Sequence, residues 1–303
     1  MQTIRDLLSR DLTEPIEEVI KLDQQDEQTV YNEITDYVTT DRIKQQYMDV
    51  LKAIADAPGE PTEGVGIWIS GFFGSGKSSF AKNLGYVLAN RSVLGHPASQ
   101  LFIKQLQEQS PTDPLVSRIA DAVSFINNRF SAHVIMFDVR VDQAVRRATE
   151  PIAEIMYSVL LRELDYAQDY DVADLEIELE GEGRLARFVQ ACAELYGDQV
   201  TVTPAESVPV TLSDVAPEAY AVWQRVRRGA QRIQRASAVL NQIDPVTYPT
   251  SDSWAASLHS ESDFTIRTLV DRTFDLAARR RPGCVVVYII DEVGAYVARS
   301  ADK

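Results

Sequence analysis

Residues 71–78 combine the residue types and the spacing of a phosphate-binding loop. Gly71, Gly76, Lys77 and Ser78 satisfy the pattern G-x-x-x-x-G-K-[ST]. Glycines let the backbone curl until its N–H groups face phosphate oxygens, and the N-terminus of a following helix adds partial positive charge. We expect Lys77 to reach the β- and γ-phosphates of a nucleoside triphosphate, and Ser78 to supply a hydroxyl ligand for Mg²⁺.

The sequence on either side of this motif has the context that a P-loop requires. Residues 65–70 form an apolar run that predicts a buried strand, and residues 79–88 carry apolar side chains at helical spacing. A P-loop joins such a strand to such a helix. The predicted nucleotide contacts are the loop and the first helical residues: Gly71, Phe72, Phe73, Gly74, Ser75, Gly76, Lys77, Ser78 and Ser79.

A second apolar run, residues 284–290, ends in two adjacent carboxylates. In a chain that contains a P-loop, this pattern predicts the metal side of an NTPase site, the Walker B strand. Asp291 would hold Mg²⁺, often through water, and Glu292 would orient and deprotonate the attacking water. Lys77 and Glu292 are thus the predicted catalytic residues. The simpler alternative is a polar turn after a strand, which is the favoured interpretation for Asp138 at the end of another apolar run.

The rest of the pattern indicates a mainly helical chain. Residues 58–64 are rich in turn formers, residues 134–139 predict a second core strand, and helices are predicted at 98–109, 114–129, 150–166 and 261–280. Four regions follow: a helical segment 1–57, the P-loop strand, helix and second strand 58–148, a mainly helical insertion 149–282, and the Asp-Glu strand with the start of the next helix 283–303.

Charge is distributed in blocks along the chain. The net charge of −15 argues against nucleic-acid binding over the whole surface. Residues 161–220 contain fourteen Asp or Glu against three Arg, whereas residues 221–243 contain five Arg and no acid. Such blocks are typical of solvated helix faces. A surface for a protein partner or for DNA on the segment from Arg225 to Arg235 is the alternative.

Cysteine usage and hydropathy bear on the cellular compartment of the protein. Cys192 and Cys284 are far apart in sequence, so they indicate neither a disulfide framework nor a zinc site. The N-terminus has no long apolar stretch, and the longest apolar run, residues 284–290, is too short to span a bilayer. We expect a cytoplasmic protein that does not enter a membrane.

With these motifs in hand, the chain resembles the large P-loop ATPase of bacterial phage-exclusion (BREX) systems, the BrxC/PglY family. The long helical interval between Lys77 and Asp291 is similar to the inserted region of that family, so the resemblance covers the whole chain and is most specific up to residue 90. Four segments carry it: RDL at 10–12, VIKLDQ at 19–24, DYVTTD at 36–41 and GIWISGFFGSGKS at 66–78.

The resemblance implies an α/β P-loop NTPase fold of the AAA+ (ASCE-like) type with a parallel sheet core, ATP and Mg²⁺ as ligands, and work beside a methyltransferase and a phosphatase-like protein. In AAA+-type sheets, the strand after the Asp-Glu pair lies between the P-loop strand and the Asp-Glu strand and carries a polar sensor; an arginine finger lies further on. Family members are much longer. We therefore expect an N-terminal fragment or a shortened product, with an incomplete sheet that favours self-association.

Two functions from different classes follow from these expectations. The first is an ATPase module of a BREX defence complex, whose hydrolysis is completed by downstream segments or a partner subunit. The second is a nucleotide-gated interaction scaffold without useful hydrolysis. A P-loop small-molecule kinase would need a lid over a phosphoacceptor pocket, and nothing in the sequence marks one. Translocation along DNA through Arg225 to Arg235 is a further hypothesis.

Overall fold

The computed structural model forms two compact units, Met1–Asn127 and Asn128–Lys303. It describes residues 26–56, 66–72, 74–139, 152–258, 265–294 and 296–297. Within these ranges there are twelve α-helices and two small two-stranded sheets, so the described chain is a mostly helical α/β protein. The predicted segments at 10–12, 19–24 and 58–64 lie outside the described residues.

The first unit is a helical cluster that contains the helix after the predicted phosphate-binding loop. Asp26 caps its first helix, because the Asp26 carboxylate accepts a hydrogen bond of 2.9 Å from the Thr29 N–H. The elements are α1 (Glu27–Thr35), α2 (Asp41–Asp56), α3 (Lys77–Ala89), β1 (Ser92–Val93), β2 (His96–Pro97), α4 (Ala98–Gln109) and α5 (Pro114–Arg129). The two short strands β1 and β2 pair in antiparallel orientation.

Aromatic side chains hold the helices of this unit together. The Tyr47 ring lies 4.2 Å from the Phe80 ring and 5.0 Å from the Phe102 ring, measured between centroids. The buried Tyr47 hydroxyl donates a hydrogen bond of 3.0 Å to the Phe80 carbonyl. This contact satisfies the hydroxyl inside the core and fixes α2 against the P-loop helix α3.

The second unit combines a parallel strand pair with a helical region. Its elements are β3 (Ser131–Asp138), α6 (Ile152–Glu163), α7 (Tyr170–Gly181), α8 (Leu185–Tyr196), α9 (Pro217–Arg227), α10 (Arg232–Ile243), α11 (Ser253–Ser257), α12 (Ile266–Arg280) and β4 (Cys284–Asp291). Strands β3 and β4 pair in parallel, with a register that runs from Ser131 opposite Cys284 to Asp138 opposite Asp291. The helices connect the two strands, as a parallel crossover requires.

Trp223 is at the centre of the helical core of this unit. Its ring is fully buried and meets the Phe188 ring edge-on at 4.9 Å. The indole N–H donates to the Glu176 carboxylate, which also receives a hydrogen bond of 2.8 Å from the Arg227 guanidinium. The buried Glu176 carboxylate is therefore paired with a cation and hydrogen-bonded, as buried charges need to be.

Most of the predicted elements are confirmed. The helices predicted at 98–109 and 114–129 match α4 and α5, and those at 150–166 and 261–280 contain α6 and α12. Two of the three predicted strands, 134–139 and 284–290, correspond to β3 and β4. Residues 221–243, treated as one arginine-rich segment, form the end of α9, a turn and α10.

The buried strand predicted at residues 65–70 is wrong over the part that the structure describes. Residues 66–72 have no regular secondary structure, and Trp68 is 72% exposed. A strand needs a neighbour that pairs with its backbone N–H and C=O groups, and no described strand pairs with this segment. Apolar composition alone does not supply that neighbour.

Among the described residues, no helix is long and apolar enough to cross a bilayer.

Candidate nucleotide-binding site

Two glycines give the P-loop a backbone that other residues rarely adopt. Gly74 has a φ of 75° and Gly76 a φ of 83°, both in the left-handed region. Gly76 is the residue that caps the N-terminus of α3, and no side chain accepts a capping hydrogen bond there. The first turn of α3 therefore has no side-chain cap, and its N–H groups and partial positive charge would favour an anion at this position.

There is little space around Gly71 for a side chain. A Cβ atom at this position would come within 2.6 Å of the Ser75 hydroxyl oxygen and 3.5 Å of a carbon of the Lys77 side chain. The two ends of the loop therefore approach each other closely across Gly71. A side chain at position 71 would therefore require the Ser75 hydroxyl to move, whereas glycine leaves it in place.

Lys77 begins α3, and its ammonium group lies over the loop. Its Nζ donates a hydrogen bond of 3.0 Å to the Phe72 carbonyl, and that carbonyl also accepts one of 3.2 Å from the Ser75 N–H. The lysine charge is thus held next to the curled backbone. A phosphate group entering the loop would offer a charged acceptor in exchange for the neutral carbonyl.

The other predicted contacts line the same loop. Ser78 and Ser79 are half-buried in the first turn of α3, whereas Gly71, Phe72, Gly74, Ser75 and Gly76 are exposed. Phe73 lies outside the described residues. The structure therefore brings the described P-loop residues together around the N-terminus of one helix, where backbone N–H groups, a hydroxyl and an ammonium can act on one polyanion.

A buried ion pair that the sequence did not reveal anchors α3. The Lys82 ammonium and the Tyr86 hydroxyl each donate a hydrogen bond of 2.6 Å to the Glu33 carboxylate on α1. Burial, followed by the hydrogen bond to Glu33, raises the pKa of Tyr86 well above its usual range. Lys82 and Tyr86, four residues apart in the apolar part of α3, were the signal for this contact.

The Asp-Glu pair belongs to the second unit. Asp291 is the last residue of β4, and Glu292 follows it with a φ of 60° in the left-handed region. The Glu292 N–H donates a hydrogen bond of 2.8 Å to the Asp291 carboxylate. Asp138, at the carboxyl end of β3, is directly opposite Asp291 in the ladder. Both groups lie at the strand edge where open α/β sheets bind ligands.

The chemistry of these residues fits Mg²⁺ bound mainly through a nucleotide. In the described part of the chain, no group of three or more histidine, cysteine, aspartate or glutamate side chains could hold a metal ion. Mg²⁺ in nucleotide sites takes one or two protein ligands and completes its shell with phosphate oxygens and water. Ser78 carries a hydroxyl and Asp291 a carboxylate, which are the ligand types that such a site uses.

The arginines of residues 225–235 divide into two groups. Arg227 and Arg232 form ion pairs inside the second unit, with Asp165 and Glu176 for Arg227 and with Asp169 for Arg232. Arg225 and Arg228 are exposed, and Arg235 is half-buried beside the Tyr196 ring. The first group is structural, and the second is available to a ligand.

No family model matches this chain, and no solved structure matches it.

Proposed function

We propose that this chain is an ATP-binding P-loop protein and the ATPase module of a bacterial anti-phage (BREX) defence complex. One observation carries the proposal: the Lys77 ammonium is held at 3.0 Å from the Phe72 carbonyl over a loop that turns through left-handed glycines into the N-terminus of α3. The loop is exposed, so a triphosphate can reach it. Lys77 would bind the β- and γ-phosphates, and Ser78 would ligate Mg²⁺.

Catalysis in this proposal depends on Asp291 and Glu292 in addition to Lys77. Asp291 would hold Mg²⁺, which would stabilise the negative charge of the triphosphate, and Glu292 would orient and deprotonate the attacking water. Such a reaction relies on positioning and on stabilisation of charge, so it requires Asp291 and Glu292 to reach the γ-phosphate. In the resemblance on which the BREX assignment rests, the partners are a methyltransferase and a phosphatase-like protein.

The segment before the loop supports a requirement for a further strand. Ile67 is 42% exposed, Trp68 72% and Ile69 37%, in a stretch that pairs with no described strand. Contiguous exposed apolar residues beside unpaired backbone favour pairing with another strand. We expect that strand to come from a downstream segment or a partner subunit, and hydrolysis to need it.

Thermal unfolding tests nucleotide binding directly. Because a ligand that binds only the folded state stabilises it, ATP with Mg²⁺ at about one hundred times its Kd should add about 2.7 kcal/mol to the free energy of unfolding. Lys77→Ala should abolish the rise in Tm. Lys104→Ala is the matched control, since Lys104 is a 71%-exposed lysine on α4. Absence of a rise in the wild-type chain, or an equal rise in Lys77→Ala, contradicts the proposal.

The second candidate is a nucleotide-gated scaffold, favoured by the exposed apolar residues just described. Glu292→Gln separates the two functions. For the ATPase, the variant should bind ATP normally but lose turnover, and complexes that depend on bound ATP should accumulate. For the scaffold, complex formation should be the same in both proteins, with no turnover in either. Turnover at the wild-type rate in Glu292→Gln contradicts the role given to that residue.

A further inference from the structure

An open cleft in the second unit lies where α8, α9 and α10 meet. Two hollows, of about 610 and 560 Å³, adjoin each other and share Ala230, Gln231 and Arg235 in their linings. Their remaining lining residues are Tyr196, Gln199, Val200, Arg225, Arg228, Gly229 and Gln234. Three of the lining side chains are arginines, and none is acidic.

These arginines differ from their neighbours in what they contact. Arg227 is buried against Glu176, and Arg232 is paired with Asp169 at 2.6 Å. Within the part of the chain that the structure describes, Arg225 and Arg228 form no ion pair. In a chain with a net charge of −15, two arginines that remain without acidic partners make a local positive surface.

Arg235 adds a preorganised guanidinium to this surface. Its guanidinium carbon lies 5.0 Å from the centroid of the Tyr196 ring, an arrangement in which the cation is attracted to the ring face. Gln231 precedes α10 and makes no capping hydrogen bond with its side chain. Arg235 is therefore restrained, and Gln231 remains able to bond to a ligand.

The composition of the cleft favours a phosphate-bearing ligand. Guanidinium groups match phosphate oxygens with two parallel hydrogen bonds, and glutamine amides can bond to phosphates, sugars or base edges. The two hollows lie side by side and are open to solvent, so an extended polymer fits them better than a small compact ligand, which is usually enclosed.

We propose that this cleft binds the phosphodiester backbone of a nucleic acid, with Arg225, Arg228 and Arg235 as the phosphate-binding residues. Binding through phosphates is independent of base sequence and falls steeply with salt, because each neutralised phosphate releases counterions. The cleft is a separate site from the P-loop, and the proposal does not depend on nucleotide binding there.

Fluorescence anisotropy of a short fluorescein-labelled DNA duplex of mixed sequence tests the proposal, using the whole chain without ATP over a series of NaCl concentrations. The double variant Arg225→Gln/Arg228→Gln should bind about tenfold more weakly or worse at low salt. The slope of its plot of log Kd against log salt concentration should be smaller by about two, one for each arginine removed. Lys77→Ala should bind as the wild-type chain does.

The matched control is Arg187→Gln/Arg267→Gln, which removes the same charge from exposed arginines on α8 and α12 that do not line the cleft. This control should bind DNA as the wild type does, and both double variants should keep the wild-type Tm, because all four side chains are exposed. Equal loss of binding in the two double variants would indicate a general charge effect and would overturn the proposal.

Two further probes distinguish other sources of negative charge. If AMP or inorganic phosphate stabilises the wild type but not Arg225→Gln/Arg228→Gln, and no duplex binds, the cleft takes free phosphate groups and the nucleic-acid assignment is overturned. If a polyglutamate peptide binds in place of the duplex, the cleft is an interface for an acidic protein segment, and the proposal is again overturned. Absence of duplex binding at the lowest salt has the same consequence.

Discussion

Asp138 and Asp291 are directly opposite each other in the parallel ladder, each as the last residue of its strand. Register partners in adjacent parallel strands place their side chains on the same face of the sheet, about 5 Å apart. The ends of β3 and β4 thus bring two carboxylates to one edge. The sequence patterns predict different roles for them: a metal ligand for Asp291 and a strand-terminal turn for Asp138.

This relationship provides a matched test of the metal assignment. Asp291→Asn should remove the part of the ATP-induced rise in Tm that depends on Mg²⁺, because the carboxylate that would bind the ion has lost its charge. Asp138→Asn removes the same charge one strand away and should retain that dependence. Thermal unfolding with ATP, with and without Mg²⁺, measures both. Equal losses in the two variants would mean that both carboxylates belong to the site.

The left-handed glycine at the start of α3 should be intolerant of a side chain. Gly76→Ala should destabilise the chain by about 1–2 kcal/mol, because a Cβ atom is strained at its φ of 83°. It should also reduce ATP binding. Gly197→Ala is the control, since Gly197 has a φ of −55° and nothing lies within 4 Å of an added Cβ. Urea unfolding measures both, and similar effects in the two variants would contradict the strain argument.

The buried ion pair on α3 should contribute strongly to the first unit. The side chain of Lys82 is 1% exposed and that of Glu33 15%, so Lys82→Met leaves a carboxylate in the interior without its cation. We expect a loss of about 3 kcal/mol in the free energy of unfolding. Lys104→Met, with a 71%-exposed side chain, should change it by less than about 0.5 kcal/mol. If Lys82→Met lost no more free energy of unfolding than Lys104→Met, the ion pair with Glu33 would contribute little to stability.

Local signals predicted both strands of the parallel pair and the helices α3, α4, α5, α6 and α12. The boundaries of α4 and α5 follow from apolar spacing and from Pro97 and Pro114, which mark where each helix begins. The left-handed conformations of Gly74 and Gly76 agree with the glycine positions in the motif. The strand predicted at residues 65–70 did not form over the described residues 66–70, because a strand depends on a neighbour that its own sequence does not specify.

The charge blocks were misinterpreted in part. Solvated helix faces are the common explanation for such blocks, yet Glu176 and Glu180 of the acidic block are buried, and they pair with Arg227 and Arg280. The Arg280 guanidinium also lies 3.6 Å from the centroid of the Tyr166 ring. Acidic and basic blocks that are distant in sequence neutralise each other across helices, and the sequence gives no direct indication of which charges will meet.

Two adjacent arginines test the distinction between structural and available charge. Arg227 has a 2%-exposed side chain bonded to Glu176, which is 1% exposed, so Arg227→Met leaves a buried carboxylate without its cation and should cost about 3–5 kcal/mol. Arg228→Met should change stability by less than about 0.5 kcal/mol, because Arg228 is exposed. Urea unfolding measures both. Adding Glu176→Gln to Arg227→Met should restore part of the lost free energy of unfolding. A double variant that is no more stable than Arg227→Met would contradict the ionic explanation.

His133 should make stability depend on pH between neutrality and mild acid. Burial, followed by the charge of Arg281, lowers its pKa to about 4, and its buried Nε2 has no hydrogen-bond partner among the described residues. An unfolded histidine takes up a proton near pH 6.5, whereas the folded chain resists protonation until about pH 4, so the unfolded state binds more protons in this interval. The free energy of unfolding should therefore fall as the pH decreases from about 6.5 to about 4.

In His133→Gln, urea unfolding at about pH 7 and about pH 5 should show a smaller decrease than in the wild type, because other titrating groups contribute equally to both. Equal decreases would mean that His133 is protonated as readily in the folded chain as in the unfolded one.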